Sequence, residues 1–133
     1  MKADLSTTAI LRAEGAALFA SALTLLFCVE PSWATAAAFF FAPDLSLFAF
    51  LHGPRAGVIL YNLTHSTLGG LGLAMLGVSL EMPLLIELAA VWLAHVGFDR
   101  MLGYGLKRSL SFHKTHLGPI GLWRRSTRSR SQG

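Results

Sequence analysis

Residues 83–103 read PLLIELAAVWLAHVGFDRMLG, and this stretch decides what kind of molecule the chain forms. It opens on Pro83, which suits the first turn of a helix, and closes on Gly103, the residue that most readily ends one. Between them it supplies the length of about 20 apolar residues that a helix needs to cross a bilayer. Yet it also carries Glu87, His95 and Asp99, groups that water ordinarily keeps. An ionisable side chain placed in hydrocarbon costs about 2.5–3.5 kcal/mol on insertion scales, so such groups turn inward and pair. The stretch reads as a membrane-spanning helix with polar chemistry on its inner face.

Three further apolar stretches precede it. The first runs from about Ala9 to Val29 and stops before Pro31. The second, Trp33 to Leu51, is nearly all apolar apart from Asp44, which follows Pro43. A proline at that point removes a backbone hydrogen bond and predicts a kink or break. Such a break survives in a membrane only where protein or trapped water satisfies the freed groups. The third stretch, about Gly57 to Leu80, contains Asn62, Thr64, His65 and Ser66, and its Gly69, Gly70, Gly72 and Gly77 suit close helix contact. Composition agrees: 53% of residues are hydrophobic and 14% charged, against roughly 25% charged in soluble domains. The expected fold is all-α, a four-transmembrane-helix bundle with short connections. It forms one domain over residues 1–121, followed by a disordered basic tail over 122–133.

Two local features bear on that division. Ala34-Thr35-Ala36 has the small residues of a signal-peptide cleavage site. Against cleavage, Asp4 and Glu14 sit in the leader, and the run Ile10–Val29 exceeds a usual signal core. It reads as a retained helix. Cys28 is the single cysteine, so no disulfide framework forms, and it reads as a small apolar packing residue.

The positive charges set the topology. All 11 Lys and Arg fall at the N-terminus (Lys2, Arg12), in the second connection (Arg55) or beyond position 99. The first and third connections hold only Glu30 and Glu81. Four spans then place every positive residue on one side, and the positive-inside rule puts both termini in the cytoplasm. The tail RRSTRSRSQG, with no apolar residue, is expected to attract anionic lipid headgroups. No aromatic stacking platform accompanies its arginines, so a nucleic-acid partner is not expected.

With orientation set, depths can be compared. Asp44 lies seven residues before the end of its span, His65 eight after the start of the third, and His95 eight before the end of the fourth. At 1.5 Å per residue all three sit roughly 10–12 Å below the cytoplasmic boundary. Asp99 is one turn shallower and shares a face with His95, because i and i+4 are stacked neighbours. Glu14 is expected at about the depth of Asp99, so each of the four helices would contribute to one polar layer.

That layer supports several chemistries. A nitrogen and a carboxylate from the His95/Asp99 face, a second imidazole from His65, and an oxygen from Asp44 suit a divalent zinc, manganese or iron ion. Such a centre acidifies bound water, and the natural reaction at that depth is hydrolysis of a lipid-borne ester or phosphoester. On this reading His65, His95 and Asp99 are metal ligands and Asp44 is a ligand or catalytic base. Glu14, Asn62 and His116 then stand around them. The alternatives are a layer that serves only helix association, in an accessory subunit of a larger membrane complex or a homo-oligomer; two histidines ligating haem; or a proton relay. Residue types alone leave these open.

Several strings are more specific than composition. They are Phe40-Phe41-Ala42-Pro43-Asp44-Leu45-Ser46, Gly53-Pro54-Arg55, Tyr61-Asn62-Leu63-Thr64-His65, the run from Trp92 to Lys107, and Thr115-His116-Leu117-Gly118. In this order the chain, from roughly Arg12 to Gly121, resembles a family of small bacterial membrane proteins filed as domain of unknown function 4260. More distantly, Pro-Asp-Leu, Thr-His-Ser and His-x-x-x-Asp resemble a LexA-regulated inner-membrane family described as metal-dependent hydrolases. That resemblance implies a bacterial inner-membrane location and matches Asp44, His65, His95 and Asp99 to the family's motif residues. The chain departs from it in having Ser46 where a second Asp is usual, and Tyr61 on the approach to His65.

Overall fold

The computed structural model describes residues 5–107, together with the backbone of 114–115 and 118–119. The chain forms α1 (Leu5–Cys28), α2 (Trp33–Phe40), a 3₁₀ segment (Ala42–His52), α3 (Pro54–Thr64), α4 (Thr67–Ser79) and α5 (Pro83–Leu102). A short antiparallel pairing sets Lys114 opposite Pro119 and Thr115 opposite Gly118. Among the described residues everything else regular is helical.

The boundaries follow local chemistry. Pro83 begins α5, and Gly103, at φ +94°, ends it in the left-handed region that only glycine enters cheaply. Gly103 N–H donates to the Arg100 carbonyl (3.0 Å) and Tyr104 N–H to that of Asp99 (2.8 Å), the paired bonds of a Schellman turn. The expected kink at Pro43 is a full change of helix type. α2 stops at Phe40, because Pro43 has no N–H to offer the preceding turn and disfavours helical geometry in Ala42. The chain then continues as eleven residues of 3₁₀ helix, far longer than the usual 3₁₀ run.

The third stretch corrects the expectation of one continuous helix from Gly57 to Leu80. α3 begins earlier, at Pro54, and the path breaks at His65 and Ser66. Ser66 adopts an extended conformation (ψ 142°), and its hydroxyl accepts from Leu68 N–H at 3.2 Å, making it the N-cap of a new helix. The carbonyl of Thr64, freed by the break, accepts the indole N–H of Trp92 at 2.6 Å. That is the internal satisfaction a broken helix needs in an apolar setting.

α5 is the central element: its Ala89, Ala90, Val91, Ala94 and Val96 are all buried. It packs against α1, α4 and α2, while the 3₁₀ segment lies on α3. α1 and α5 approach backbone to backbone. A Cβ on Gly97 would sit 2.6 Å from the Phe19 nitrogen, and one on Gly15 would sit 2.7 Å from the Met101 nitrogen. The two helices run antiparallel, so Arg12 reaches the far end of α5 and donates from Nε to the Met101 carbonyl at 2.9 Å. On α4, Gly69, Gly70 and Gly77 meet α5, whereas Gly72 faces open space.

Two units are long and apolar enough to cross a membrane: α1, and the continuous run Trp33–His52. Only 17% of each apolar stretch is buried, where the core helix of a water-soluble domain would be mostly covered. Leu45, Phe48, Leu51, Ile59, Leu68 and Met75 likewise point outward. Cys28 is exposed at the end of α1, so the expected packing role is corrected.

Candidate metal centre

Four side chains from three elements converge on one point. Asp44 comes from the first turn of the 3₁₀ segment, His65 from the cap of α3, and His95 and Asp99 from successive turns of α5. One ligand atom from each lies within 4.8 Å of all the others. Nε2 of His65 is 3.5 Å from both Asp44 Oδ1 and Asp99 Oδ2. Nε2 of His95 is 3.5 Å from Asp44 Oδ1 and 3.6 Å from Asp99 Oδ2. The two Nε2 atoms are 3.3 Å apart.

These spacings discriminate between uses. Imidazole and carboxylate groups that hydrogen-bond directly close to about 2.7–3.2 Å. Here they stand off by a nearly constant 3.3–3.6 Å. Five of the six pairs are spaced so, and the sixth, Asp44 with Asp99, lies within 4.8 Å; a regular tetrahedron with edges of 3.3–3.6 Å has corners about 2.0–2.2 Å from its centre, the length of zinc–nitrogen and zinc–oxygen bonds. Two nitrogens and two carboxylate oxygens suit zinc, iron or manganese; calcium and magnesium prefer oxygen alone. The residues therefore fit a divalent transition metal. A porphyrin does not fit, since both carboxylates occupy the space beside the two imidazoles through which its plane would pass.

The surroundings orient the ligands unequally. His65 Nδ1 lies 3.0 Å from the Tyr61 carbonyl, which can only accept; the tautomer with its proton on Nδ1 donates there and turns the Nε2 lone pair to the cluster. The Thr64 hydroxyl is also 3.0 Å from that Nδ1. Tyr61 stacks on the His65 ring at 3.9 Å and 13°, and the Lys107 ammonium lies over the Tyr61 ring, 4.1 Å from its centre. His95 has no hydrogen-bond partner at Nδ1 among the described residues, and Phe40 presents to its ring at 5.1 Å. Packing holds one imidazole and a hydrogen bond holds the other. Both histidines are 3% exposed, whereas the Asp44 side chain is 42% exposed, so the cluster opens on the Asp44 side. Burial lowers the Lys107 pKa from its usual value, and the charge of Asp99 opposes that shift.

Other residues expected around this point stand elsewhere. Glu14 is exposed on α1. Its neighbour Gly15 takes the face toward α5, and one residue of helix turns Glu14 about 100° away. The expectation that every span feeds the layer is thus corrected: α1 supplies no member of the cluster. The hydrogen bonds of the Asn62 side chain go to Lys107. Its amide donates to the Lys107 carbonyl (2.8 Å) and its oxygen accepts from Lys107 N–H (2.7 Å), strapping the chain after α5 onto α3. Glu87 is buried two turns from His95, with Oε1 unpartnered among the described residues. Ser46 is buried, also without a partner for its hydroxyl among them. His116 lies outside the described residues. The supporting roles of Tyr61, Trp92 and Lys107 carry no motif, since each depends on contacts made only in the folded chain.

Comparison with curated proteins and with solved structures gives no match. A family model described as Domain of unknown function (DUF4260) matches residues 8–120, nearly the whole described chain and its complete four-residue cluster, and the protein belongs to that family.

Proposed function

We propose that this protein is a polytopic membrane protein whose His65, His95 and Asp99 hold a divalent transition metal, with Asp44 as a further ligand or base, and that the centre serves a hydrolase. The observation that carries the reading is the convergence of four ligand atoms within 4.8 Å, five of their six separations being 3.3–3.6 Å, longer than direct hydrogen bonds between such groups. The bundle crosses the membrane four times, as α1, α2 with the 3₁₀ segment, α3 with α4, and α5, with both termini in the cytoplasm. The distribution of positive residues supports that topology. So does the placement of Arg12 beside Met101, which brings the start of α1 to the end of α5.

Zinc, manganese or iron, when bound, supplies Lewis acidity and acidifies water. The chain does the rest. His65, its tautomer set by Tyr61, together with His95 and Asp99 would hold the ion from the buried side. Asp44 stands at the accessible side, placed to accept a proton from an attacking nucleophile. Three firm ligands and one exposed carboxylate match a catalytic centre, which needs an exchangeable position, better than a closed structural one. The distant resemblance of these four residues to the motif of a membrane family described as hydrolases points the same way.

The test is elemental analysis of the purified full chain. About one zinc, manganese or iron per chain is expected, and at least about a tenfold loss of affinity in His65→Ala and His95→Ala. A metal-free protein that cannot be loaded, with both variants behaving as the parent, ends the reading and leaves the polar layer as helix packing.

A further inference from the structure

Lys107 carries a charge that the metal reading leaves without a task. It follows the Gly103 cap of α5, and Asn62 on α3 clasps its backbone with bonds of 2.8 and 2.7 Å. The residue is only 4% exposed. Lysine is rarely so buried, since an ammonium taken from water needs compensation. Its Nζ lies over two rings, 4.1 Å from the centre of Tyr61 and 6.0 Å from that of Phe50. Phe50 belongs to the 3₁₀ segment that delivers Asp44, and Tyr61 stacks on His65 at 3.9 Å. The ammonium therefore stands one ring removed from His65, between the two elements that present Asp44 and His65. The charge of Asp99, on α5, reaches it as well.

We propose that Lys107 is a substrate-binding residue of the centre, and that the group it receives is an anionic oxygen of a phosphoester. The inference rests on the metal reading above and adds the class of substrate. Charge balance carries it. A divalent ion held among two carboxylates and two neutral imidazoles makes a neutral centre, which gives an anion no net attraction. The ammonium leaves one positive charge in the same sheltered space, where charges interact more strongly than in water. A neutral ester gains little from that charge, whereas a phosphoester oxygen gains a charge-assisted hydrogen bond. Lysine serves phosphate in this way, as a point charge on a flexible stem. Ring faces attract the ammonium without cancelling its charge. The approach has the same sign. In the four-span arrangement Arg12, Arg55 and Arg100 stand at this end, where the acids among the described residues are Glu14 and the two cluster aspartates. With those aspartates neutralised by an ion, the field on the open Asp44 side concentrates anions. The rival role, an anchor that only fastens the chain to α3, belongs to the backbone. Both Asn62 bonds go to main-chain atoms, so they account for the place of Lys107 and not for its charge.

The experiment uses the full chain in detergent, loaded with manganese and freed of excess metal, with inorganic phosphate as the probe. Calorimetry gives the phosphate affinity, and elemental analysis gives the metal content of each sample. Broadening of the phosphorus resonance reports whether the anion lies beside the manganese. The parent is expected to bind phosphate with a broadened resonance. Lys107→Met keeps an apolar stem and the main-chain bonds but removes the charge. Phosphate affinity should fall at least about tenfold, the loss of one hydrogen bond to a charged group. Metal content should hold, because removing a positive charge does not weaken a cation's site. Lys107→Gln, a second neutral variant, covers the case in which the methionine variant fails to fold. Arg55→Met removes a charge from the exposed start of α3 and should cost much less. Parent-like affinity in both neutral variants, a loss no greater than that of Arg55→Met, or phosphate binding that leaves the resonance sharp overturns the assignment, while the metal content shows the centre standing. A fall in metal content that accounts for the lost phosphate makes Lys107 a support for His65 and overturns it too. Protein that takes up no manganese removes the metal reading and this inference with it.

Discussion

Asn62 grips the backbone of Lys107 with two hydrogen bonds, and the consequence reaches His65 through Tyr61. Lys107 lies over Tyr61, Tyr61 stacks on His65, and the Tyr61 carbonyl fixes which nitrogen of His65 faces the cluster. Groups one step removed from a metal ligand typically change affinity by about 10–100-fold when lost. Asn62→Ala should therefore weaken metal binding by about tenfold, near the low end of that range. Asn62→Asp keeps the acceptor for Lys107 N–H and should fall between. Competition against a chelating dye measures both, and parent-like affinity in Asn62→Ala would show that the strap does not position His65. At this scale the cluster itself was readable in advance. His95 and Asp99 share a helical face by spacing, and Asp44 and His65 share their depth. Asn62, Tyr61 and Lys107 were not readable in these roles. The Asn62 contact spans 45 positions in sequence, and no periodicity encodes it.

Among elements, the contact of α1 with α5 depends on the absence of side chains. Gly97→Val places a Cβ against the Phe19 backbone, which cannot move aside as a flexible side chain could. A loss of about 1–3 kcal/mol is expected, read as a lowered unfolding temperature in detergent. Gly72→Ala is the matched control. Nothing lies within 4 Å of its added methyl, and the helix gains roughly 0.5–1 kcal/mol. Equal behaviour of the two variants would mean that α1 and α5 are not in close contact. The outer limits of α5 were legible from Pro83 and Gly103, and the break after α2 from Pro43. The break between α3 and α4 was not. Its signal is one capping serine, Ser66, inside an apolar run long enough to make a single span, and apolar length outweighs a lone cap when read by eye along the chain. Each broken helix presents a cluster residue at its break, Asp44 on one and His65 on the other. Irregular backbone in an apolar bundle is tolerated where protein surrounds it, and there it brings side chains in at angles that a continuous helix does not offer.

Across the whole molecule, charge and shape agree on one polarity. The cluster, the Arg12–Met101 bond and the Asn62–Lys107 strap all lie toward the end where α1 begins and α5 stops. The acidic connections at Glu30 and Glu81 lie at the opposite end, and both residues adopt positive φ (50° and 53°), turning the chain sharply there. That end also carries the exposed thiol of Cys28. Because no other cysteine exists in the chain, a water-soluble maleimide that cannot cross a bilayer becomes a direct reporter of sidedness in the unaltered protein. In sealed vesicles of native orientation the reagent should modify the protein from outside, and in inverted vesicles only after they are opened. The reverse pattern would turn the molecule over and with it the leaflet from which any ligand arrives.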